Sequence, residues 1–437
     1  MVEMGLANSK WVHIMVLVVM GWFVFTALFH SNVRFFAKSG HNLELNGPCV
    51  RAKKRLPLVV YIDAFPHKRA RDEFGCTFTR NRNCIKEAEA AVFNLEKYPS
   101  EHQEIRFFKL QRRLRSFKGI YYWKDLRRTA KKSLLTFGWC SEAAYSDRRP
   151  INSKLIMNLV NYSIYVGIDA DFPFLLFHSV PKLIEPLESL LQKKKNHILF
   201  LSSNCHSSSG RETFVKSIMK FVDVDSVGDC LHTKDFPTDI RALEIDPSNG
   251  RSYRSSWNNK YFNSNLKLLE RYKFRLTLPN SICDDYVTEK LMDCFKTATI
   301  PIYLGAPNGH NWDMGLIAGV HPAMIHVSDF DGFESLTMHL EAITKNQTLY
   351  MSYFEYLHHK GKWKQNYPKH IEAIKQKRKN ARSDDEFVCK LTKEAQNQQQ
   401  KERNLTSHPK TSHPPKHCHG NWKKYFESMG KNMSRWR

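Results

Sequence analysis

Acidic residues are scarce in this 437-residue chain: 43 Asp and Glu stand against 67 Lys and Arg, a formal net charge of +24. So basic a balance calls for an anionic partner, and nucleic acid, membrane surface and phosphorylated ligand are the three classes available. No two of the ten cysteines form a CxxC pair, so the sequence has no metal-ligand spacing of the zinc-ribbon kind. No internal repeat is visible, which sets a solenoid or propeller aside. Apolar material is not lacking: 42% hydrophobic and 12% aromatic residues can fill a sizeable core, excluding wholesale disorder and a fold held by disulfides alone. At roughly 100–200 residues per domain, the length predicts two or three folded units.

One long apolar run stands out, residues 11–29, WVHIMVLVVMGWFVFTALF. At ~1.5 Å rise per residue it nearly spans a ~30 Å hydrocarbon layer, which predicts a membrane anchor. The alternative is a cleaved signal peptide, but its apolar region usually runs about 7–15 residues before a small-x-small site. All cysteines lie beyond the run, from Cys49 to Cys418, as do the glycosylation triplets starting at Asn161, Asn346, Asn404 and Asn432. An even cysteine count in an oxidising compartment invites disulfides whose pairing the sequence leaves open. The resulting expectation is a single-anchor protein of the secretory pathway with a short cytoplasmic N-terminus. Residues 1–10 form its cytoplasmic tail, 11–29 its signal anchor and 31–56 a stem, with the rest lumenal.

Beyond the stem, strand and helix signals alternate. Leu58-Val-Val-Tyr-Ile-Asp63 and Ile198-Leu-Phe-Leu201 are short apolar runs of the buried-strand kind, and a polar stretch at 185–197 divides the folded part into two comparable halves. Such alternation predicts parallel sheets covered by helices. From residue 361 the composition shifts: 19 Lys and Arg against 7 Asp and Glu put +12 into the last 77 residues. Residues 396–420 are poor in aliphatics and rich in Gln, Pro and His, a composition expected to be disordered. His413, His417, Cys418 and His419 cluster there without a second ligand pair at finger-like spacing, so a solvated tail is preferred over a metal site. Trp363, Trp422 and Trp436 are too scattered among the basic residues to form a stacking groove, which argues against nucleic acid.

The chemistry concentrates in Tyr272 to Pro307, YKFRLTLPNSICDDYVTEKLMDCFKTATIPIYLGAP. Phe274 to Leu278 reads as a strand and Asp285 as a helix N-cap. Val287, Leu291 and Phe295 recur at helical spacing, and Ile300 to Leu304 reads as a second strand. In such a βαβ unit the helix N-terminus is where phosphate is held. Lys290 falls near the positive end of the helix dipole, which disfavours a cation by roughly 0.3–1 kcal/mol unless an anion sits there too. Glu289 beside it can accept two ribose hydroxyls. Taken alone, these two would be an ordinary surface Glu-Lys pair.

The pattern N-S-x-x-x-D-Y-V-T-E-K followed by T-I-P-I-Y-L-G resembles the signature of the α1,3/α1,4-fucosyltransferases, glycosyltransferase family 10. A weaker resemblance extends over about residues 58–360. Upstream, Leu201-Ser-Ser-Asn204 and Arg211-Glu-Thr-Phe resemble the strand, turn and Arg-bearing helix that open the family's donor domain. Downstream, His326-Val-Ser-Asp-Phe330 and Tyr350-Met-Ser-Tyr-Phe354 are similar to its closing segments. The resemblance implies an α/β, GT-B type fold of two Rossmann-like domains facing a central cleft: 57–190 on the acceptor side, 196–360 binding GDP-fucose, and 361–437 a basic C-terminal extension, partly disordered. By position in the motif, Arg211 and Lys290 would neutralise the diphosphate, while Asn280, Tyr286 and Glu289 would hold the nucleoside.

Within the first half, Trp139-Cys-Ser-Glu142-Ala-Ala is similar to the family's segment with a Glu before small residues, so Glu142 would be the general base. Asp169-x-Asp171 has the spacing of a metal-nucleotide pair, but in this family an acidic pair there has no such role. With Arg211, Lys290 and a helix N-terminus supplying positive charge, a divalent metal is not expected to be essential and no cofactor to be tightly bound. One departure is Pro279-Asn280-Ser281, where most members read Glu-Asn-Ser. The implied activity is inverting transfer of L-fucose from GDP-β-L-fucose to a glycan hydroxyl, forming an α1,3 linkage to N-acetylglucosamine on a glycoprotein. The alternatives are a protein O-fucosyltransferase and an inactive GDP-sugar-binding scaffold.

Overall fold

In the computed structural model the described residues are 56–62, 71–81, 84–85, 87–95, 134–140, 160–173, 182–241, 259–359, 362, 374, 376, 379–381, 383–401 and 418–436. The apolar run 11–29, the stem through residue 55 and Glu142 lie outside them. Among the described residues no helix is long and apolar enough to cross a membrane.

Seven strands build the first sheet: β1 (Leu58–Ile62), β2 (Arg71–Glu73), β3 (Cys76–Thr79), β4 (Ala90–Asn94), β5 (Leu135–Cys140), β6 (Tyr162–Tyr165) and β7 (Phe172–Pro173), in the order β2-β3-β1-β4-β5-β6-β7. All pairings are parallel except β2 with β3. Strands buried on both faces read as continuous apolar runs, and side chains alternate between them. Leu58, Val60, Ala91 and Phe93 fill one face; Val59, Tyr61, Ala90 and Val92 fill the other.

The second half begins with α1 (Leu187–Gln192) and β8 (Lys195–Leu201), followed by α2 (Arg211–Ile218), β9 (Val224–Val227), α3 (Thr238–Arg241), α4 (Asn259–Leu269) and β10 (Tyr272–Thr277). Next come β11 (Ile282–Cys283), α5 (Glu289–Lys296), β12 (Ile300–Tyr303), α6 (Met314–Ala318), β13 (Ile325–His326), α7 (Phe333–Lys345) and α8 (Gln347–Ser352). Five of these strands form a wholly parallel sheet, β13-β12-β10-β8-β9. The expected βαβ unit is present: Phe274 to Thr277 pair in register with Ile300 to Tyr303 across α5. Val287, Leu291 and Phe295 share one buried cluster, as their spacing requires. The stretch 185–197 is not a bare linker. Its leucines at 187, 190 and 191 share a helical face, and Leu190 is fully buried in the second core.

Below the sheet, Lys194 joins two helix ends. Its Nζ donates to Thr297 O at 2.6 Å, Thr299 Oγ1 at 2.9 Å and Leu269 O at 3.4 Å, meeting orphan carbonyls where α5 and α4 finish. Burial pushes its pKa down to about 7.

The C-terminal segment departs most from expectation. Helix α9 (Asp384–Lys401) lays Phe387, Val388 and Leu391 on the first sheet, and Cys389 is disulfide-bonded to Cys76 of β3. Residues 396–401, expected to be disordered, complete this helix. Farther on, β14 (Cys418–His419) pairs with β11, and Cys418 is bonded to Cys283. Cys418 and His419 are thus paired into the fold rather than in a solvated tail, and His413 and His417 lie outside the described residues. Helix α10 (Trp422–Ser428) and Trp436 then bury two tryptophans in the core of the second sheet. Composition missed this because the anchors are few: two cysteines and a handful of aromatics among polar residues. A third disulfide joins Cys205 and Cys230. Of the glycosylation triplets, Asn346 and Asn432 are exposed, whereas Asn161 Oδ1 accepts from Thr136, from its amide at 2.9 Å and its hydroxyl at 2.7 Å.

Two measurements check these anchors. The Cys76–Cys389 link closes a loop far longer than 100 residues, so the Cys76→Ser/Cys389→Ser double variant should lose about 4–5 kcal/mol of unfolding free energy in urea titrations. Lys194 has a folded pKa below its ordinary value of 10.5. The unfolded chain therefore binds more protons above about pH 7, and this group makes stability rise with pH there. Lys194→Met should flatten the change in urea midpoint between pH 7 and about 8.5.

Candidate functional site

Counted along the chain, the second sheet has the order 2-1-3-4-5, and its connections turn to opposite faces between β8 and β10. At such a switch point a crevice opens outside the carboxyl ends of the strands, where ligands of doubly wound sheets lodge. Arg211 spans this position. It opens α2 directly after Gly210, whose φ of 65° is a left-handed conformation that glycine adopts at no steric cost. The buried guanidinium donates from Nη1 to Leu278 O at 3.1 Å, beyond β10. From Nη2 it donates to Ser202 Oγ at 2.9 Å and Asn204 O at 3.2 Å, beyond β8. These three acceptors are neutral oxygens, two of them backbone carbonyls. A planar, multi-donor fork can bridge both strand ends in a way an ammonium cannot.

Further hydrogen bonds stitch the same two loops together. Ser209 donates from its amide to Asn280 O at 2.9 Å and from its hydroxyl to Pro279 O at 2.8 Å. Tyr286 is buried and its hydroxyl donates to Asn280 Oδ1 at 2.8 Å. Pro279, at the position where the family pattern carries Glu, fits against Gly305. A Cβ on Gly305 would come within 2.8 Å of Pro279 Cγ and 2.5 Å of Tyr303 Oη.

Helix α5 opens on the two residues expected of it. Thr288, not Asp285, is its N-cap, in extended conformation and with no side-chain cap hydrogen bond. Asp285 cannot cap because its own φ is 61°, which turns the chain before the helix starts. Lys290 Nζ lies 2.6 Å from Glu289 Oε1, and the two side chains are 29% and 41% exposed. Beneath them Arg275, buried on β10, donates to Lys290 O at 3.2 Å. Burial works against charge on Glu289, but Lys290 foremost, and Arg275, outweigh it and hold the carboxyl below its ordinary range.

Asn280 and Tyr286 are thus joined directly, Arg211 is bonded to Leu278 in the same loop, and Glu289 and Lys290 start the helix that follows. Glu142 falls two residues beyond the carboxyl end of β5 and outside the described residues. In the Asp169-x-Asp171 pair, Asp171 Oδ2 accepts from the Ser163 amide at 2.8 Å and hydroxyl at 2.7 Å, which staples β6 to its following turn. Among the described residues no group of three or more metal-ligating side chains occurs. Ser209, Arg275 and Asn308 were not read as site residues. Each acts through backbone partners distant in the chain, which leaves no local spacing to recognise.

Residues 191–410, half of the chain, match the family model described as Glycosyltransferase family 10 (fucosyltransferase) C-term. The chain belongs to glycosyltransferase family 10. It is 33% identical over 175 residues to "GDP-fucose protein O-fucosyltransferase 3" of Xenopus laevis, which covers 39% of this chain and 33% of that protein. It is also 33% identical over 156 residues to "Alpha-(1,3)-fucosyltransferase B" of Drosophila melanogaster, covering 36% and 31%. The similarity therefore spans about a third of the length of these relatives. A crystal structure of an α1,3-fucosyltransferase with GDP-fucose aligns over 71% of this chain and 85% of that one, at 15% identity and a TM-score of 0.37. The family's matched region contains every described site residue named above from Arg211 to Asn308.

The Arg211 bridge yields a prediction independent of any substrate. Arg211→Lys keeps the charge but cannot reach both strand ends, and it should cost about 1.5–3 kcal/mol in urea unfolding. An unchanged midpoint would show that the bridge does not hold the crevice.

Proposed function

We propose that this chain is a GDP-fucose-dependent fucosyltransferase of the two-domain GT-B type, acting as a type II enzyme of the Golgi lumen anchored by residues 11–29. The observation that carries this reading is the Arg211 bridge at the switch point of a parallel sheet, within the region matched to glycosyltransferase family 10. The crevice is built for an anion, and the adjoining α5 opens with a carboxylate suited to ribose and a lysine suited to phosphate.

In the proposed reaction an acceptor hydroxyl oxygen attacks the anomeric carbon of fucose as the bond to the β-phosphate oxygen breaks, inverting GDP-β-L-fucose to an α-linkage. Glu142 takes the hydroxyl proton. The charge released onto GDP is met by Arg211, Lys290 and the first turn of α5, fixed before reaction and therefore effective without reorganisation. Asn280 and Tyr286 hold the nucleoside side of the crevice, with Glu289 on the ribose. No step is assigned to a divalent metal.

For the acceptor, the similarity to proteins named GDP-fucose protein O-fucosyltransferase 3 from several vertebrates supports a protein Ser or Thr hydroxyl. The Drosophila relative named for α1,3 transfer supports the second reading, N-acetylglucosamine on a glycan. The test is to incubate the full chain in detergent with GDP-fucose against arrays of glycans and of folded protein acceptors, with linkage analysis of the product. Lys290→Ala should lower turnover about 10²–10³-fold while leaving the unfolding midpoint within error. A wild-type chain that turned over GDP-fucose on neither array would overturn the reading.

A further inference from the structure

Among the described residues, one place where the two halves meet is Asp285 in the donor loop. Asp285 is 4% exposed and holds φ 61°, a left-handed conformation that Asp tolerates better than most residues. Its backbone amide donates to Asn308 Oδ1 at 2.8 Å, and Asn308 Nδ2 donates back to Asp285 Oδ1 at 2.9 Å. The second carboxylate oxygen, Oδ2, accepts from the backbone amide of Ile168 at 3.2 Å. Ile168 belongs to the other half, in the turn leaving the carboxyl end of β6. Its side chain packs against the cluster that contains Val287, before α5, and Leu291 and Phe295 on it. Immediately beside it, Val166 shares a small core with Cys283 and Tyr286.

We propose that Asp285 is a positioning residue with two separable tasks. By its left-handed turn it aims Tyr286 and α5 into the donor crevice. Through its carboxylate it holds the acceptor-side half in register with that crevice. Only a carboxylate at this position offers one oxygen to Asn308 and another to Ile168 at once. Asparagine retains one acceptor oxygen and tolerates the turn. Glycine takes the turn freely and offers none. The proposal rests on the fucosyltransferase reading for its kinetic consequences, but the contact with Ile168 does not.

The test compares the full chain with its Asp285→Gly and Asp285→Asn variants in three measurements: GDP affinity by calorimetry, kcat and KM with GDP-fucose and an acceptor that the wild type uses, and hydrogen exchange of the segment 160–173. In the glycine variant GDP affinity should stay within about threefold, because the turn survives. Its kcat should fall about tenfold or more, and the Ile168 amide should exchange about tenfold faster, the scale of one hydrogen bond to a charged acceptor. The asparagine variant should fall between glycine and wild type in both kcat and exchange, and it serves if the glycine chain does not fold. Unchanged exchange at Ile168 overturns the proposal. So does a loss of activity accounted for wholly by weaker GDP binding, which would confine Asp285 to the donor loop. If the wild type neither binds GDP nor transfers fucose, the functional reading fails, and the exchange measurement still decides the contact between the halves.

Discussion

The C-terminal segment is the constraint on which the arrangement of the two halves depends. It leaves the second half after α8, and α9 covers one face of the first sheet, where the chain is bonded to β3 through Cys76. It returns to the second half as β14, bonded there through Cys283, and finishes with Trp422 and Trp436 in the second core. Each sheet thus has part of its cover supplied by residues that close the chain. Two covalent ties and two tryptophans fix a path whose intervening residues are strongly polar. Removing water from such large aromatic surfaces contributes a few kcal/mol each, enough to hold a segment that composition would leave in solvent.

With the halves tied in this way, the carboxyl-end loop of β6 and the loop between β10 and α5 are neighbours. The donor-side loop carries an unusual concentration of backbone demands: a left-handed aspartate, a disulfide at Cys283 and a helix that begins on an acid-base pair. Under the proposed function, a phosphate would complete the charges at the start of α5. Lys290 sits where the helix dipole disfavours a cation, and its pairing with Glu289 offsets this. A phosphate at the same place would compete with Glu289 for Lys290 and release the carboxylate toward a ribose.

Much of the architecture was legible along the chain because its signals are local. The apolar runs Leu58 to Ile62 and Ile198 to Leu201 are set by strand burial, and Val287, Leu291 and Phe295 by a helical period. The unit β10-α5-β12 was legible to within a residue or two at its strand ends, while its helix starts three residues later than expected. Asp285 was misread as a cap because its side chain is of the capping type. Its actual conformation is imposed by Asn308 and Ile168, 23 positions ahead and 117 behind. Arg211 was identified by its motif, but not its bridging of two strand ends, since Leu278 lies 67 residues away.

By itself the sequence determined the two α/β halves, the helix that carries Glu289 and Lys290, and the resemblance to glycosyltransferase family 10, all of which depend on residue spacing within a few turns or strands. Only the tertiary structure decided which cysteines pair, that the basic C-terminal segment is in large part cover for both sheets, and that the net charge of +24 includes a buried arginine at a switch point. The physical reason is the same in each case. Disulfides, a bridging guanidinium and a carboxylate shared between halves are contacts between residues far apart in the chain, and a linear pattern records the residue but not its partner.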